Sequence, residues 1–265
     1  MKSTEKVSAG ERIMITGTSR GLGRALLMEY SLAGTRIIAV DKYDDTYLRA
    51  QYPDVRFEIV DITDRSGMKR LIEALRESDE LPSTVIFSAA IHTTDYDTFL
   101  DYQTLADTIN VDMMSVLSII SLVMPLMNGS GTFIFCSSGV VIFPNPDSLG
   151  YYMSKLAVTK AFDHLADRYS QTGFRFKSVI LGPLHSDMLA KSVRPSGIVG
   201  LLRDMTTGDL DIAAKRIVKL HRCNSKKMYY TRRSAAILWL ARIIQTVLPK
   251  KCKAYRIKPP VVPKF

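Results

Sequence analysis

Short apolar runs rich in β-branched residues alternate with helical patterns over the first 181 residues of this chain. The runs cover residues 12–16, 36–41, 55–61, 84–88, 132–136 and 174–181. The helical patterns between and after them cover residues 22–33, 65–77, 103–127 and 150–170. Strands that alternate with helices of this length form right-handed crossovers and a parallel sheet. We therefore predict an α/β fold built on a doubly wound parallel sheet with helices on both faces.

A glycine-rich turn joins the first predicted strand to the first predicted helix. Residues 17–23 read Gly-Thr-Ser-Arg-Gly-Leu-Gly, a spacing that differs from the Gly-x-Gly-x-x-Gly fingerprint. Glycines let the backbone approach a pyrophosphate closely, and the helix that follows presents free N–H groups at its start. A tight turn without a ligand is the alternative. The residues that we predict to bind a dinucleotide here are Gly17, Ser19, Arg20, Gly21, Leu22 and Gly23.

Charged residues at the ends of the second and third strands bear on which dinucleotide binds. The carboxylate of Asp41 is able to accept hydrogen bonds from an adenosine ribose, and it would repel a 2′-phosphate. Arg20 and Lys42 act in the opposite sense, because either cation would hold that phosphate. We expect NAD to be favoured over NADP, since a carboxylate close to a phosphate is the costlier arrangement. Asp61 and Ile62 are expected to meet the adenine.

Tyr151 and Lys155 are four residues apart in a predicted helix, so their side chains share one face. A nearby cation favours the phenolate and lowers the pKa of a tyrosine, which makes Tyr151 a tunable proton donor or acceptor. Ser138 follows the fifth strand and supplies a hydroxyl that would steady an oxyanion. Because ligands of doubly wound sheets bind beyond the strand ends, we expect Ser138, Gly182 and the glycine turn to lie on one rim.

The glycine turn, Ser138 and Tyr151-x-x-x-Lys155, in this order of strands, resemble the short-chain dehydrogenase/reductase family over about residues 10–190. The interval from Ser138 to Tyr151 is similar to that of the short, single-domain branch. The resemblance implies a Rossmann-type fold and hydride transfer between a nicotinamide and a secondary alcohol or ketone. It implies that Tyr151 is the catalytic acid or base and that Ser138 hydrogen-bonds the substrate oxygen. Lys155 would lower the pKa of Tyr151 and bind the nicotinamide ribose.

Two positions depart from the family pattern. The fourth strand ends in Ser88-Ala89-Ala90 where the family has Asn-Asn-Ala-Gly, although Ala89 and Ala90 still permit close packing on the cofactor. The family also places an Asn on the long helix, where it orders a water in the proton relay. Asp112 fills that position, with Asn110 as the alternative. These departures favour a second hypothesis, in which the chain is a cofactor-binding sensor or scaffold with impaired turnover.

The segment that follows the sixth strand is expected to complete the site. By the same resemblance, Ser186 and the backbone of Leu184 would hold the nicotinamide carboxamide, although Leu181 stands where the family has a proline. Residues 186–209 should form a lid over the substrate. Because this segment contains many apolar residues, it favours an apolar or amphipathic substrate. An isomerase or dehydratase is disfavoured by the length of the chain and by the position of Ser138.

Positive charge is concentrated at the C-terminal end. Residues 215–265 hold 15 of the 36 Lys and Arg and no Asp or Glu, whereas the rest of the chain holds 26 acidic residues. We predict a catalytic domain at 1–214 and a basic extension at 215–265 with an apolar helix at 234–248. That helix is too short to span a bilayer, but residues 232–258 suit an anionic membrane surface. Packing on the body or on a second subunit is the alternative, and no nucleic-acid-binding motif is present.

The three cysteines have no paired spacing, which indicates a reducing compartment and neither a disulfide framework nor a metal site. The N-terminus shows no apolar signal segment. We therefore expect a cytoplasmic protein, peripheral on a membrane if the basic extension binds one. The scattered histidines, His92 among them, are expected to be surface or core residues. If the chain follows its relatives, the helices at 103–127 and 150–170 would pair to give a homodimer or homotetramer.

Overall fold

Seven parallel strands form the central sheet in the part of the chain that the structure describes. The computed structural model describes residues 11–93, 100–142, 148–190, 192, 201, 203–205, 207–229 and 236. The strands are β1 (Arg12–Thr16), β2 (Arg36–Asp41), β3 (Arg56–Ile59), β4 (Thr84–Phe87), β5 (Ser130–Ser138), β6 (Gly173–Leu181) and β7 (Lys227–Tyr229). They are ordered β3-β2-β1-β4-β5-β6-β7, so the direction of winding reverses between β1 and β4. This confirms the predicted doubly wound, Rossmann-type parallel sheet, in which ligands bind beyond the strand ends at the reversal.

Helices cover both faces of the sheet. The helices of the described residues are α1 (Gly21–Leu32), α2 (Thr46–Gln51), α3 (Arg65–Glu77), α4 (Tyr102–Ile109), α5 (Ser115–Val123), α6 (Leu149–Arg168), α7 (Asp187–Ala190) and α8 (Leu210–His221). One core cluster joins α1 and α8 to the sheet, and another joins α3, α5 and α6 to its opposite face. In β1, Ile13 and Ile15 belong to the first cluster and Met14 to the second. This alternation explains why strands buried on both faces are apolar almost throughout.

The predicted long helix at 103–127 is interrupted in its middle. A π-helical turn at Asn110–Met114 separates α4 from α5, and a 3₁₀ turn at Met124–Leu126 ends the stretch. By length and composition, with 25 residues and a mean hydropathy of 1.8, Tyr102–Leu126 resembles a membrane span. Its Val116 and Ile119 are nevertheless buried in the core cluster against the sheet. We therefore interpret it as a core helix whose apolar face packs on the strands.

The change of charge near residue 215 falls within a helix of the described chain, and the division into a catalytic domain at 1–214 and a basic extension at 215–265 stays a prediction. Helix α8 crosses that point, with Ala214 and Ile217 both buried. Strand β7 pairs with β6, so the sheet itself extends to Tyr229. Basic residues lie on the exposed face of α8 from residue 215 onward, so a count of charges changes there. The apolar face that packs α8 on α1 continues across residue 215 without a break. The apolar helix predicted at 234–248 lies outside the described residues, except for residue 236.

Candidate active site

The first glycine of the turn lies where three strands end. Gly17 has φ +77°, and its N–H donates to the Val40 carbonyl at 2.8 Å. A Cβ at this position would lie 2.7 Å from the Cα of Ala89, so both the backbone conformation and the contact require glycine. Thr16 Oγ1 accepts hydrogen bonds from the N–H groups of Ser88 and Ala89, each at 3.3 Å. The threonine hydroxyl thus braces the end of β4, where the family pattern has asparagine amides.

The other two glycines shape a cradle for an anion. A Cβ at Gly23 would lie 1.8 Å from the carbonyl oxygen of Gly17, so α1 starts directly against the turn. Gly21 has φ +55°, and a Cβ built on it would meet no atom within 4 Å, so open space adjoins its backbone. No side chain caps the first N–H groups of α1, and Leu22 packs against the core beneath them. The predicted turn therefore fits a dinucleotide pyrophosphate.

The carboxylate of Asp41 links the glycine turn to the loop that follows β2 through two hydrogen bonds. Its Oδ2 accepts from the backbone N–H of Ser19 at 2.9 Å, and its Oδ1 accepts from that of Tyr43 at 3.1 Å. The cations of Arg20 and Lys42 lie 6.0 and 5.2 Å from the centroid of the Tyr43 ring. One carboxylate and two cations are therefore brought together at the place expected for the adenosine ribose.

Asp61 lies close enough to that region to interact with Lys42. Its Oδ1 accepts from the N–H and the hydroxyl of Thr63, at 2.9 and 2.7 Å. Partial burial favours its neutral form, but these hydrogen bonds and the charge of Lys42 outweigh burial and hold its pKa below the ordinary value. Ile62 packs against the core cluster beneath β2. The carboxylate is therefore available as an anion beside the predicted adenine position.

Tyr151, Lys155 and Asp112 form a buried row behind the rim. Tyr151 and Lys155 lie on the first turns of α6 and are only 9% and 2% exposed. Lys155 Nζ donates to the Cys136 carbonyl at 3.3 Å and lies 3.6 Å from Asp112 Oδ2. The other oxygen of Asp112, Oδ1, accepts from the N–H of Ile91 at 2.8 Å. The carboxylate is thus fixed between the segment after β4 and the lysine.

The π-helical turn decides which polar residue of the long helix reaches the site. Asp112 is completely buried beside Lys155, whereas Asn110 is exposed. A π turn inserts an extra residue into the helical repeat, so it changes the direction in which neighbouring side chains point. Of the two residues predicted for the relay position, the structure brings Asp112 into the site and leaves Asn110 outside it.

Ser138 rather than its neighbour faces the tyrosine. The Ser138 side chain lies near enough to Tyr151 to favour its phenolate, and its Oγ accepts from the N–H of Val140 at 3.4 Å. The hydroxyl of Ser137 is buried beneath α6, 2.6 Å from the hydroxyl of Thr159, two turns after Tyr151 on the same helix. Ser137 is thus occupied inside the protein, and Ser138, the last residue of β5, is the one that reaches the rim. The side chains of Ser138 and Tyr151 therefore lie next to each other beyond β5.

Burial controls the pKa values of this row. It raises the pKa of Tyr151 above the ordinary value; Lys155 opposes this effect, and the charge of Asp112 reinforces it. Lys155 therefore acts on the pKa of Tyr151 in the direction expected from the sequence, while burial and Asp112 leave that pKa raised. Burial also acts to lower the pKa of Lys155, but the charges of Asp112 and Tyr151 more than reverse it. The pKa of Asp112 is raised to about 6 by burial, against the influence of Lys155.

His92 is a site residue that the sequence did not identify. Its ring meets the Tyr151 ring edge to face, with 4.8 Å between centroids and 79° between planes. Its Nε2 lies 2.9 Å from the hydroxyl of Ser148, which immediately precedes α6. The feature of the sequence that points to a role for His92 in the site is its position just after β4, at the same rim as the other strand ends. The sequence alone predicts a surface or core histidine here, because His92 has no partner at metal-ligand spacing.

The segment after β6 borders the same rim. Leu184 forms a parallel bridge with Gly208, and the hydroxyl of Ser186 accepts from the N–H of Leu189 at 3.3 Å. A cavity of about 420 Å³ lies beside this segment. It is lined by His185, Ser186, Leu189, Ala190, Ser192 and Arg203. Much of the predicted lid at 186–209 lies outside the described residues.

Within the described part of the chain, no group of three His, Cys, Asp or Glu residues is placed to hold a metal ion.

Comparison with known proteins agrees with this geometry. Residues 11–196 match the family model of the short chain dehydrogenases. The benzil reductase ((S)-benzoin forming) IRC24 of Saccharomyces cerevisiae is 24% identical over 206 residues, covering 71% of this chain and 78% of the relative. The 3-oxoacyl-(acyl-carrier-protein) reductase FabG of Thermotoga maritima is 23% identical over 190 residues, covering 69% of this chain and 77% of the relative.

A solved structure shows the same fold. A short chain dehydrogenase from Burkholderia cenocepacia, in complex with NADP, superposes with a TM-score of 0.74 at 18% identity. The superposition covers 91% of this chain and 97% of that one. The family match over most of the chain, the dinucleotide cradle and the Ser138–Tyr151–Lys155 cluster lead to one conclusion. The chain belongs to the short-chain dehydrogenase/reductase family and is an NAD(P)-dependent oxidoreductase.

Proposed function

We propose that this enzyme interconverts a ketone and a secondary alcohol with Ser138, Tyr151 and Lys155 as its catalytic residues. The observation that carries the proposal is the buried Tyr151 beside Lys155, with the side-chain hydroxyl of Ser138 next to the phenol, on the rim that holds the glycine turn. These two hydroxyl groups are the pair that a carbonyl oxygen needs, one to stabilise it and one to protonate it.

Each residue of the site has its own role in the reaction, which follows from its position. The bound dinucleotide supplies the hydride, or accepts it when the alcohol is oxidised. Ser138 donates a hydrogen bond to the substrate oxygen as negative charge develops there. Tyr151 gives that oxygen its proton, and the Lys155 ammonium stabilises the phenolate that remains. Asp112 holds Lys155 in place and supports the return of a proton to the tyrosine, which is the relay role predicted for this position.

Replacing Tyr151 with phenylalanine tests the mechanism. Phenylalanine keeps the edge contact with His92 but removes the proton donor. We expect turnover to fall by about 10²–10⁴-fold, the range for loss of an acid–base group, while NAD(P) affinity changes little. The measurement is single-turnover hydride exchange together with a dinucleotide-binding titration. Unchanged turnover by this variant would refute the assignment.

For the dinucleotide, we retain NAD as the preferred partner. The support is the Asp41 carboxylate, held by two backbone N–H groups where a 2′-phosphate would lie. Arg20 and Lys42 lie close enough to hold that phosphate instead, and the Burkholderia protein binds NADP. We expect Asp41→Ser to raise the preference for NADP by about tenfold, since one charge repulsion of about 1.4 kcal/mol is removed. A wild-type enzyme that already prefers NADP would overturn this part of the proposal.

For the substrate, we propose an apolar or amphipathic ketone or alcohol. The support is the cavity after β6, where Leu189 and Ala190 supply an apolar wall and His185, Ser192 and Arg203 supply polar groups. The relatives named above act, by their names, on benzil and on a 3-oxoacyl group, which are carbonyl compounds with apolar parts. A panel of ketones graded by chain length should show kcat/KM rising with apolar length. A panel on which only small polar ketones react would contradict the proposal.

A catalytically impaired sensor or scaffold is the second candidate. The observations in its favour are the altered Ser88-Ala89-Ala90 segment and the charged Asp112 beside Lys155. Tight dinucleotide binding without hydride exchange over a broad carbonyl panel would support this candidate. Hydride exchange with any member of the panel at enzymatic rates would exclude it.

The basic extension, the oligomer and the location remain proposals. We propose that residues 232–258 contact an anionic membrane surface and that the enzyme is otherwise cytoplasmic. We also propose that two or four copies assemble through the long helices. Flotation with anionic and neutral vesicles, with and without residues 232–265, tests the first proposal, and equal binding by both forms would end it. Sedimentation at several concentrations tests the second, and a monomer throughout would end it.

A further inference from the structure

Tyr151, Lys155 and Asp112 are three ionisable groups in one buried row. The phenol neighbours the ammonium, and the ammonium lies 3.6 Å from a carboxylate that is completely buried. The carboxylate is not free to turn away, because its Oδ1 accepts from the N–H of Ile91 at 2.8 Å. The π-helical turn at Asn110–Met114 holds it there as well. Asp112 is therefore a fixed negative charge directly behind the catalytic lysine.

A fixed carboxylate changes what the lysine does to the tyrosine. A buried ammonium alone stabilises a neighbouring phenolate strongly, because few solvent dipoles screen the pair. A carboxylate next to that ammonium opposes its field and makes the loss of a proton from the phenol harder. The net charge of the Lys155–Asp112 pair is zero when both groups are ionised, so a phenolate at Tyr151 would give the buried row a net negative charge.

The other groups that face Tyr151 come from two neighbouring elements. His92, after β4, contacts the Tyr151 ring edge to face, and the uncharged hydroxyl of Ser138, on β5, lies next to the phenol. Cys136, also on β5, carries a buried thiol whose pKa is raised to about 12, so it remains uncharged at neutral pH. Asp112 itself is contacted by the N–H of Ile91 and by Lys155.

We propose that Asp112 is a structural counter-ion that keeps Tyr151 protonated at neutral pH and thereby sets this site for carbonyl reduction. The inference rests on the proposed function and names the protonation state from which that function operates. In reduction the carbonyl carbon receives the hydride, the Tyr151 O–H bond breaks and a new O–H bond forms on the substrate. The phenolate then recovers a proton from solvent along the Lys155–Asp112 pair. Oxidation of the alcohol needs the phenolate first, so it requires alkaline pH.

The counter-ion does not alter the equilibrium between ketone and alcohol. It sets the pH at which each direction finds its reactive form of the enzyme. Reduction near neutrality uses the form that is already populated, whereas oxidation at the same pH uses a small fraction. Asp112 therefore acts through Lys155 and Tyr151 as a positioning residue and does not touch the substrate.

The test compares Asp112→Asn with the wild type in the pH dependence of kcat/KM for alcohol oxidation. Asparagine keeps the acceptor for the Ile91 N–H and removes the charge. We expect the alkaline inflection to move at least one pH unit towards acid, which is about a tenfold gain at a fixed pH below the inflection. The direction holds whichever member of the Tyr151–Lys155 pair gives up the proton, because removing a negative charge lowers the first apparent pKa of the pair.

The matched control is Asn110→Asp, which places a carboxylate two residues away on the exposed face of the same helix. It should leave the inflection within about 0.2 pH units of the wild type, because solvent screens an exposed charge. An inflection that stays in place, or moves towards alkali, in Asp112→Asn would overturn the proposal. Should Asp112→Asn fail to fold, judged by circular dichroism and dinucleotide binding, Asp112→Ser is measured in its place.

A spectroscopic titration separates this inference from the proposed function. The ultraviolet absorbance that tyrosinate adds is recorded against pH for each protein, and the curve of the matching Tyr151→Phe protein is subtracted. The difference reports the ionisation of Tyr151 without turnover. An absence of turnover over the carbonyl panel would refute the proposed function. An acid shift of the Tyr151 titration in Asp112→Asn would still support the counter-ion role of Asp112. Equal Tyr151 titrations in the wild type and in Asp112→Asn would refute that counter-ion role even if the enzyme is active.

Discussion

Adding one methyl group at Gly17 should separate steric contact from backbone strain in the dinucleotide cradle. A Cβ at Gly17 would lie 2.7 Å from the Cα and 2.9 Å from the N of Ala89. Both are backbone atoms of the segment that Thr16 braces, so they have little freedom to retreat. Gly21 provides the comparison, since it also has a positive φ but its Cβ would meet no atom within 4 Å.

The two substitutions differ by the steric contact alone. A non-glycine residue at positive φ costs about 1–2 kcal/mol, which applies to both Gly17→Ala and Gly21→Ala. Overpacking against a fixed neighbour costs about 1–3 kcal/mol more, which applies only to Gly17→Ala. We therefore expect Gly17→Ala to lose roughly 2–5 kcal/mol of unfolding free energy and Gly21→Ala roughly 1–2 kcal/mol. A loss of the larger size is a substantial part of the ~5–15 kcal/mol that stabilises a typical domain.

Urea unfolding followed by far-ultraviolet circular dichroism, without added dinucleotide, measures this difference. Dinucleotide affinity is measured separately at low temperature, where both variants remain folded. We expect Gly21→Ala to lose affinity despite its smaller loss of stability, because its methyl group would enter the space assigned to the pyrophosphate. Equal unfolding free energies for the two variants, within about 0.5 kcal/mol, would refute the steric argument, since that is the usual scatter between independent sites.

Three further substitutions follow from the site geometry. Ser138→Ala should lower kcat by about 10²–10³-fold with little change in dinucleotide affinity, because one donor to the developing oxyanion is lost; steady-state kinetics with a reactive ketone measure this loss. His92→Phe keeps the edge contact with Tyr151 and removes the bond to Ser148, so urea unfolding should show a loss of about 1 kcal/mol. The buried Asp112 has a pKa raised to about 6, so between about pH 4 and 6 the folded protein binds more protons at this residue than the unfolded chain does. The unfolding free energy of the wild type relative to Asp112→Asn should therefore fall as the pH rises through that window, by up to about 1.4 kcal/mol per unit, as urea titrations at stepped pH would show.

Local patterns were sufficient for the sheet and for most of the rim. Strand β1 and strand β2 were predicted with the bounds that the structure gives, because fully buried parallel strands are apolar throughout and end sharply at polar turns. The glycine turn and the four-residue interval from Tyr151 to Lys155 also depend only on neighbouring residues. Strand β7 was missed because it has only three residues, begins with a lysine and lies in a stretch without acidic residues.

Contacts between segments that are distant in the chain could not be predicted from the sequence. The choice between Asp112 and Asn110 depended on a π-helical turn, which leaves no periodic signal in the residues themselves. The approach of His92 to Tyr151 joins positions 59 residues apart and depends on how the segment after β4 meets the start of α6. The net shift in the pKa of Tyr151 required the extent of its burial as well as its distance from Lys155. Spacing in the sequence supplied only the second of these.

The two departures from the family pattern do not weigh equally against catalysis. The missing asparagines after β4 are compensated within the same corner, since the Thr16 hydroxyl accepts from two consecutive backbone N–H groups and Gly17 packs on Ala89. A braced segment gives no reason to expect lost turnover, so the sensor hypothesis depends mainly on Asp112. A carboxylate at that position raises the energy of the phenolate but leaves the protonated tyrosine, the form that reduction needs, intact. With Asp112 in place, an assay of alcohol oxidation at neutral pH would show little turnover and would suggest a sensor. An assay of ketone reduction at the same pH would show turnover and would identify a reductase. Assays in both directions, over a range of pH, are needed before the absence of activity is taken as a property of this chain.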